Sequence, residues 1–410
     1  MSKILKSVYR FHWHLIVVAI LGCVIWNNIP HHQQQNDGND GAEEIARHLT
    51  QKLHQVGEEC SRMTKACYLI SDLGVVENEK LVVMRQMILK ESQEYCFTNV
   101  DLITPEELSY KNADTSRWPI NKRTVRLVYA KMMIASGFMM EGLKLTSQKS
   151  QDVLMIGLGG GLISNFFSTI PETKVCWTES CFVLDLDRKK CNVQGTSIGI
   201  ATPAEWNEAT STRHRQGKAN SARRRRVNLT TIELDPDVLM FAKKWFGLEE
   251  SPTNHVIIED GIVFMREAAK KGIKYDTLLL DACTNDRRTI MCPVPVFLQP
   301  EAIKDMASIL NENGVFAANL LVVADDVDAV ENQILDLFKK HFETCFLLRF
   351  YPKQRMLLCS RRQKWDFMNQ AKRFAQNLMM ADDKFNFELT GMILQYGDNF
   401  KKIQKDSSKK

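Results

Sequence analysis

Hydrophobic positions along the chain fall into three regimes. Between residues 11 and 29 they are nearly continuous. From 43 to 94 they recur at mixed spacings of three and four, as at Val82, Val83, Met87 and Ile88, which predicts helix. Residues 109–121 break this with polar side chains and Pro119, and 124–140 resumes as an apolar helix. From 152 onward short apolar runs alternate with amphipathic stretches. Strands are predicted at 153–156, 227–233, 255–258, 275–281 and 315–320, and helices at 162–169, 238–246, 262–270 and 300–310. Such alternation predicts an α/β, Rossmann-like parallel sheet with helices on both faces. Runs at 346–351 and 356–359 predict a terminal hairpin, and 365–380 a last helix.

These regimes divide the chain into an apolar segment (1–30), a polar linker (31–42), a helical extension (43–120), an α/β domain (121–361) and a C-terminal helix with a basic tail (362–410). The first segment carries Lys3, Lys6 and Arg10 before its apolar run and Asp37, Asp40, Glu43 and Glu44 beyond it. No small-residue cleavage site follows. A signal-anchor is expected, giving a single-pass membrane protein with a cytoplasmic N-terminus and its bulk in the secretory lumen; the alternative is a cytoplasmic protein. The 11 cysteines lack metal-ligand spacing, so no metal site is expected. Cys60, Cys67 and Cys96 are disulfide candidates in a lumenal domain and buried thiols otherwise. A net charge of +5, gathered in Arg223 to Arg226 and the tail, gives no argument for a nucleic-acid partner.

Residues 175–226 interrupt the alternation where a connection usually takes about 2–6 residues. Joining Lys174 to Val227 restores an unbroken turn and strand. The segment therefore reads as translated intron or a misjoined exon. The competing reading is a surface loop in which Arg223 to Arg226 is a processing site or a solvated charge run.

The chemistry concentrates at the first strand of the α/β domain. Ile156-Gly-Leu-Gly-Gly-Gly161 follows it, and the next strand ends in Glu233. Glycines there let the backbone turn sharply against a ligand, while a strand-end acid suits a ribose diol. Gly157, Gly159, Gly160 and Gly161 are more tightly clustered than a pyrophosphate-binding turn, which suits S-adenosylmethionine, a nucleoside without phosphate. Asp260 and Gly261 end the third strand, and Asp281 the fourth. An exposed acid for Glu233, a helix cap for Asp260 and a loop cap for Asp281 are the plain alternatives.

Residues 129–359 resemble the spermidine synthase-like branch of class I S-adenosylmethionine-dependent methyltransferases. Within it they most resemble the C-terminal domain of the enzyme that modifies elongation factor 1-alpha. Four stretches carry the likeness: Ile156 to Gly161, Ile232-Glu-Leu-Asp-Pro236 with Ala242-Lys-Lys-Trp-Phe246, Glu259-Asp-Gly261, and Met291-Cys-Pro-Val-Pro-Val-Phe297 after Leu280-Asp281. The resemblance implies that Gly157 to Gly161 wrap the methionine part of the cofactor, Glu233 holds the ribose and Asp260 meets the adenine. Asp281 would orient or deprotonate a protein or small amine. Aminopropyl transfer to a polyamine is the alternative, but Thr284 replaces the second acid that a polycation needs. A catalytically silent member of the fold is a third reading. The family also implies a homodimer, and an acceptor pocket shaped by Cys292 and the following Pro-Val-Pro loop.

Overall fold

The computed structural model describes residues 40–92, 96–145, 147, 149–170, 173–174, 224–225, 227–351, 354–363 and 367–395. The expected signal-anchor lies outside them. Among the described residues no helix is long and apolar enough to cross a membrane.

Helix α1 (Asp40–Gln51) leads into an antiparallel meander of β1 (His54–Cys60), β2 (Cys67–Glu77), β3 (Lys80–Leu89) and β4 (Cys96–Asp101). The helix expected over 43–94 is thus corrected to strand after Gln51. The β2–β3 register runs unbroken from Tyr68↔Leu89 to Glu77↔Lys80. Asn78 and Glu79 close it with φ of 49° and 64°, as a two-residue hairpin turn requires. Because Gln86 to Leu89 are buried on both faces of β3, the period-two signal is erased and the spacing mimics a helix. The hairpin encloses an ion pair in which Arg85 Nη2 meets Asp72 Oδ2 at 2.8 Å; Arg85 also donates to the Thr115 and Trp245 carbonyls.

The α/β unit holds a sheet in the order β13-β14-β12-β10-β5-β8-β9. Its strands are β5 (Gln151–Ile156), β8 (Val227–Glu233), β9 (Asn254–Ile258), β10 (Tyr275–Leu280), β12 (Leu310–Val322), β13 (Thr344–Arg349) and β14 (Gln354–Ser360). The five from β9 to β12 are parallel, and β14 runs antiparallel to both β12 and β13. This is a doubly wound, Rossmann-like sheet, with the chain reversing its direction of winding at β5 and β10. Ligands of such sheets bind at that switch point, outside the strands' C-terminal ends. The hairpin and the helices α3 (Leu162–Ser168), α4 (Pro236–Phe246), α5 (Gly261–Lys270) and α6 (Pro300–Ser308) fall where the pattern placed them. Helix α7 (Val327–Lys339), between β12 and β13, was not anticipated.

Apolar side chains form a core on each face of the sheet. On one face, α2 (Val128–Met139) is buried almost all round, covered by α8 (Phe367–Phe385) and α9 (Leu389–Gln395). Phe138, Phe166, Phe385 and Phe387 join the layers, with ring centroids 5.1–5.4 Å apart. The meander docks on α4. A Cβ added at Gly57 would fall 2.4 Å from the Trp245 ring, whose Nε1 donates to Glu59 Oε1 at 2.8 Å.

Within the 175–226 insert only Arg224 and Arg225 are described. Lys174 pairs with Arg224 and Thr173 with Arg225, as a two-residue antiparallel ladder of β6 (Thr173–Lys174) and β7 (Arg224–Arg225).

Candidate active site

The sharp exit from β5 builds one wall of the crevice. Gly157, Gly159 and Gly161 have φ of +94°, +54° and +77°. Gly157 is required twice over, because a Cβ there would also stand 2.4 Å from the Asp281 carbonyl oxygen. At Gly159 a Cβ would make only ordinary van der Waals contact, 3.8 Å from Thr98 Oγ1 and 4.0 Å from the Phe97 carbonyl oxygen. Gly160 is held from outside the α/β unit: its N–H donates to Thr98 Oγ1 of β4 at 2.9 Å.

Glu233, buried at the end of β8, ties the turn to the neighbouring strand. Its two oxygens accept from Leu158 N and Asp235 N, each at 2.9 Å. Desolvation raises its pKa, and the backbone N–H groups oppose the rise. Two backbone bonds leave a carboxylate with lone pairs for a diol. Beside it, Leu234 is 51% exposed and Ile258 41% exposed. These large apolar side chains at strand ends were missed from sequence; a hydrophobic residue directly after a strand-end acid was the available signal.

Asp260 caps α5. Its Oδ1 accepts from Ile262 N at 2.7 Å and Val263 N at 3.3 Å, so the capping role is real and engages only that oxygen. Gly261 sits beneath: a Cβ there would lie 2.8 Å from Ile156 Cγ2 and 3.3 Å from Phe297 Cζ. Its contacts are those of close helix-to-strand packing, which brings Asp260 to the rim.

Asp281 stands at the exit of β10, its N–H donating to the Ile156 carbonyl at 2.9 Å. Its Oδ1 accepts from Asn319 Nδ2 at 3.1 Å, and its carboxylate accepts from the Tyr129 hydroxyl. Desolvation lifts its pKa to about 6 against the lowering from both hydrogen bonds. Burial and the adjacent Asp281 carboxylate drive the Tyr129 hydroxyl well above its usual value, so it stays a donor. Neither partner was singled out from sequence. Asn319 could have been, as the one amide in the otherwise apolar run Val315 to Val322.

The segment after Asp281 folds back through β11 (Ile290–Cys292), which pairs with the end of β12. Thr284 N donates to the Met291 carbonyl at 2.9 Å. Asp286 pairs with Arg288 at 3.0 Å and so does not form a second free acid beside Asp281. Cys292 is bonded to Cys283, a pairing the sequence reading did not anticipate. Of the anticipated disulfide candidates, Cys60 bonds Cys67; a third bridge joins Cys345 to Cys359.

No known family model matches the chain. Over 148 residues, 36% of its length, it is 26% identical to a Drosophila melanogaster protein named eEF1A lysine and N-terminal methyltransferase homolog, of which the match covers 22%. Over 89 residues, 20% of its length, it is 30% identical to a polyamine aminopropyltransferase of Pyrobaculum islandicum, of which 30% is covered. The solved structure of human Methyltransferase-like protein 13 in complex with SAH aligns with a TM-score of 0.45 at 20% identity, over 62% of this chain and 92% of that one. The chain therefore spans less than a third of the curated relatives it matches.

Proposed function

We propose that this chain is an S-adenosylmethionine-dependent methyltransferase acting on an amine of a protein. The observation that carries the reading is the joint built by Gly157. One tight turn, tied to the strand-end acid Glu233 through Leu158 N, brings that acid to the same end of the sheet as a second acid of different environment, Asp281. The names of its partial relatives point the same way.

The residues fit this donor. The positive-φ turn at Gly157, Gly159 and Gly161 takes the methionine part, Glu233 retains capacity for the ribose hydroxyls, Asp260 Oδ2 can meet the adenine amino group, and Leu234 offers an apolar wall. When bound, the donor supplies a methyl group already activated by its sulfonium. The chain's own work is alignment and proton handling. Asp281, fixed by Tyr129 and Asn319, holds the acceptor nitrogen with its lone pair toward the methyl and takes up a proton. Its pKa of about 6 leaves it mostly ionised at neutral pH.

Aminopropyl transfer is the second reading, supported by the Pyrobaculum relative. Against it, Thr284 lies where a second acid is needed and Asp286 is paired with Arg288. Ligand-induced thermal stabilisation decides between them. At 100 times its dissociation constant a native-state ligand adds about 2.7 kcal/mol. Preference for S-adenosylmethionine over its decarboxylated form supports methyl transfer, and the reverse preference supports aminopropyl transfer. No shift with either leaves a silent fold.

The reading includes a membrane anchor at residues 1–30 with the enzyme in the secretory lumen. Its support is the basic flank of that segment and the three disulfides among the described residues, a bond that persists in oxidising compartments. Protease protection of the C-terminal tail in sealed microsomes tests it, and digestion there would refute it. Light scattering tests the homodimer implied by the family likeness.

A further inference from the structure

Two of the three disulfides among the described residues sit on the rim of the crevice. Cys60–Cys67 closes the β1–β2 turn, where Ser61 donates to Asp235 and Arg62 N donates to Asp237 Oδ2 at 2.8 Å, beside Glu233. Cys283–Cys292 closes the loop that leaves Asp281, with Cys283 Sγ 3.7 Å from Asp281 Oδ1. Each exposes one cysteine, Cys60 or Cys283, whereas Cys345 and Cys359 are 8% and 0% exposed.

The two closed turns touch. Tyr68, directly after Cys67, accepts from Asn285 Nδ2 at 3.3 Å. The 283–292 loop is also held by the Thr284–Met291 backbone bond, by Val323 N donating to the Thr289 carbonyl at 2.8 Å, and by the short β11–β12 pairing. Residues 286–289 are exposed throughout. A segment with so few buried contacts opens at low cost unless it is covalently closed.

We propose that the Cys283–Cys292 disulfide is a thiol-reducible lock on the acceptor side of the crevice, which holds the loop over Asp281 while leaving the donor side independent of it. The acceptor part of this inference rests on the transferase reading above; the lock itself does not. A thiolate of a dithiol attacks the exposed Cys283 sulfur, forming a mixed disulfide and expelling Cys292 as thiolate. The second thiolate of the dithiol then releases Cys283. The protein disulfide gains two electrons, the dithiol is oxidised to its own disulfide, and its two protons pass to the cysteine thiolates.

The test uses the full chain under graded dithiothreitol, with alkylation mapped by mass spectrometry. Cys283 and Cys292 are expected to alkylate before Cys345 and Cys359. With that pair open, trypsin should cut after Arg287 and Arg288 about tenfold faster or more. S-adenosylhomocysteine binding by calorimetry should change by less than about twofold. Transfer from S-adenosylmethionine to peptides bearing lysine and α-amino groups should fall. The C283S/C292S variant should show the fast cleavage without reductant; if it fails to fold, the reduced natural chain decides. Equal cleavage in the open and closed forms, or alkylation of this pair last, overturns the lock. If S-adenosylhomocysteine fails to bind even the oxidised chain, the transferase reading falls and the cleavage result still judges the lock.

Discussion

Asn319 Nδ2 donates to Asp281 Oδ1 at 3.1 Å, linking the ends of two strands that are parallel neighbours up to Leu280↔Ala318. Asn319 is 3% exposed, so it has little freedom to turn away. The bond favours the ionised carboxylate, opposing a desolvation that sets the pKa near 6. Transfer to an amine should therefore rise with pH through a midpoint near 6. A lysine amine titrates near 10, so this lower limb belongs to Asp281. Asn319→Leu should move the midpoint upward with S-adenosylhomocysteine binding retained. An unmoved midpoint in the pH–rate profile would show that Asn319 does not tune the acid.

The same raised pKa predicts a stability effect. A carboxyl near 6 in the folded chain and about 3.9 unfolded binds its proton more tightly when folded. Its contribution is fully present below about pH 4 and lost as pH rises through about 6, a change of about 2–3 kcal/mol. Asp281→Asn cannot ionise, so it should remove this loss and raise the melting temperature at pH 7 while abolishing transfer. Loss of stability in that variant at pH 7 would mean that the ionised carboxylate is held by its two donors more strongly than desolvation opposes it.

Two glycines of one turn should respond differently. Gly157→Ala combines a φ of +94° with a Cβ 2.4 Å from the Asp281 carbonyl, and should cost about 3 kcal/mol or more. Gly159→Ala has a φ of +54° and a Cβ no closer than 3.8 Å to any neighbour, so backbone strain alone costs about 1–2 kcal/mol. Its methyl group would occupy the cradle assigned to the donor. Denaturant melts should show the large difference in stability, and calorimetry should show weakened S-adenosylhomocysteine binding by the folded Gly159→Ala chain. Unchanged binding there would place the donor elsewhere.

The α/β sheet was legible because its strands are apolar runs bounded by turn signals, and the candidate acids Glu233 and Asp281 end such runs. The meander was not legible because burial of both faces of β3 removes the alternation that distinguishes strand from helix. Its turn at Asn78 and Glu79 lacks the glycine that usually marks such a hairpin. What the meander contributes to the site is equally invisible in one dimension. Thr98 meets Gly160 across 62 positions and Tyr68 meets Asn285 across 217. The acids could be found by their position at strand ends and Asn319 as the one amide of an apolar run, whereas Tyr129, which also holds Asp281, is defined only by its three-dimensional neighbours.

The pairing of Thr173 with Arg225 and Lys174 with Arg224 brings the residues before the insert against those near its end. Val227 then enters β8 in register with Gln151 of β5, so the sheet resumes at the end of the interruption. A segment entered and left at one point can be shortened without pulling on the strands it joins, and a shorter loop closes at slightly lower entropic cost. Replacing residues 175–223 with a two-residue turn should therefore keep the melting temperature equal or higher and leave S-adenosylhomocysteine binding within about twofold. Loss of the cooperative melt would make the insert part of the fold and remove the case for a misjoined exon.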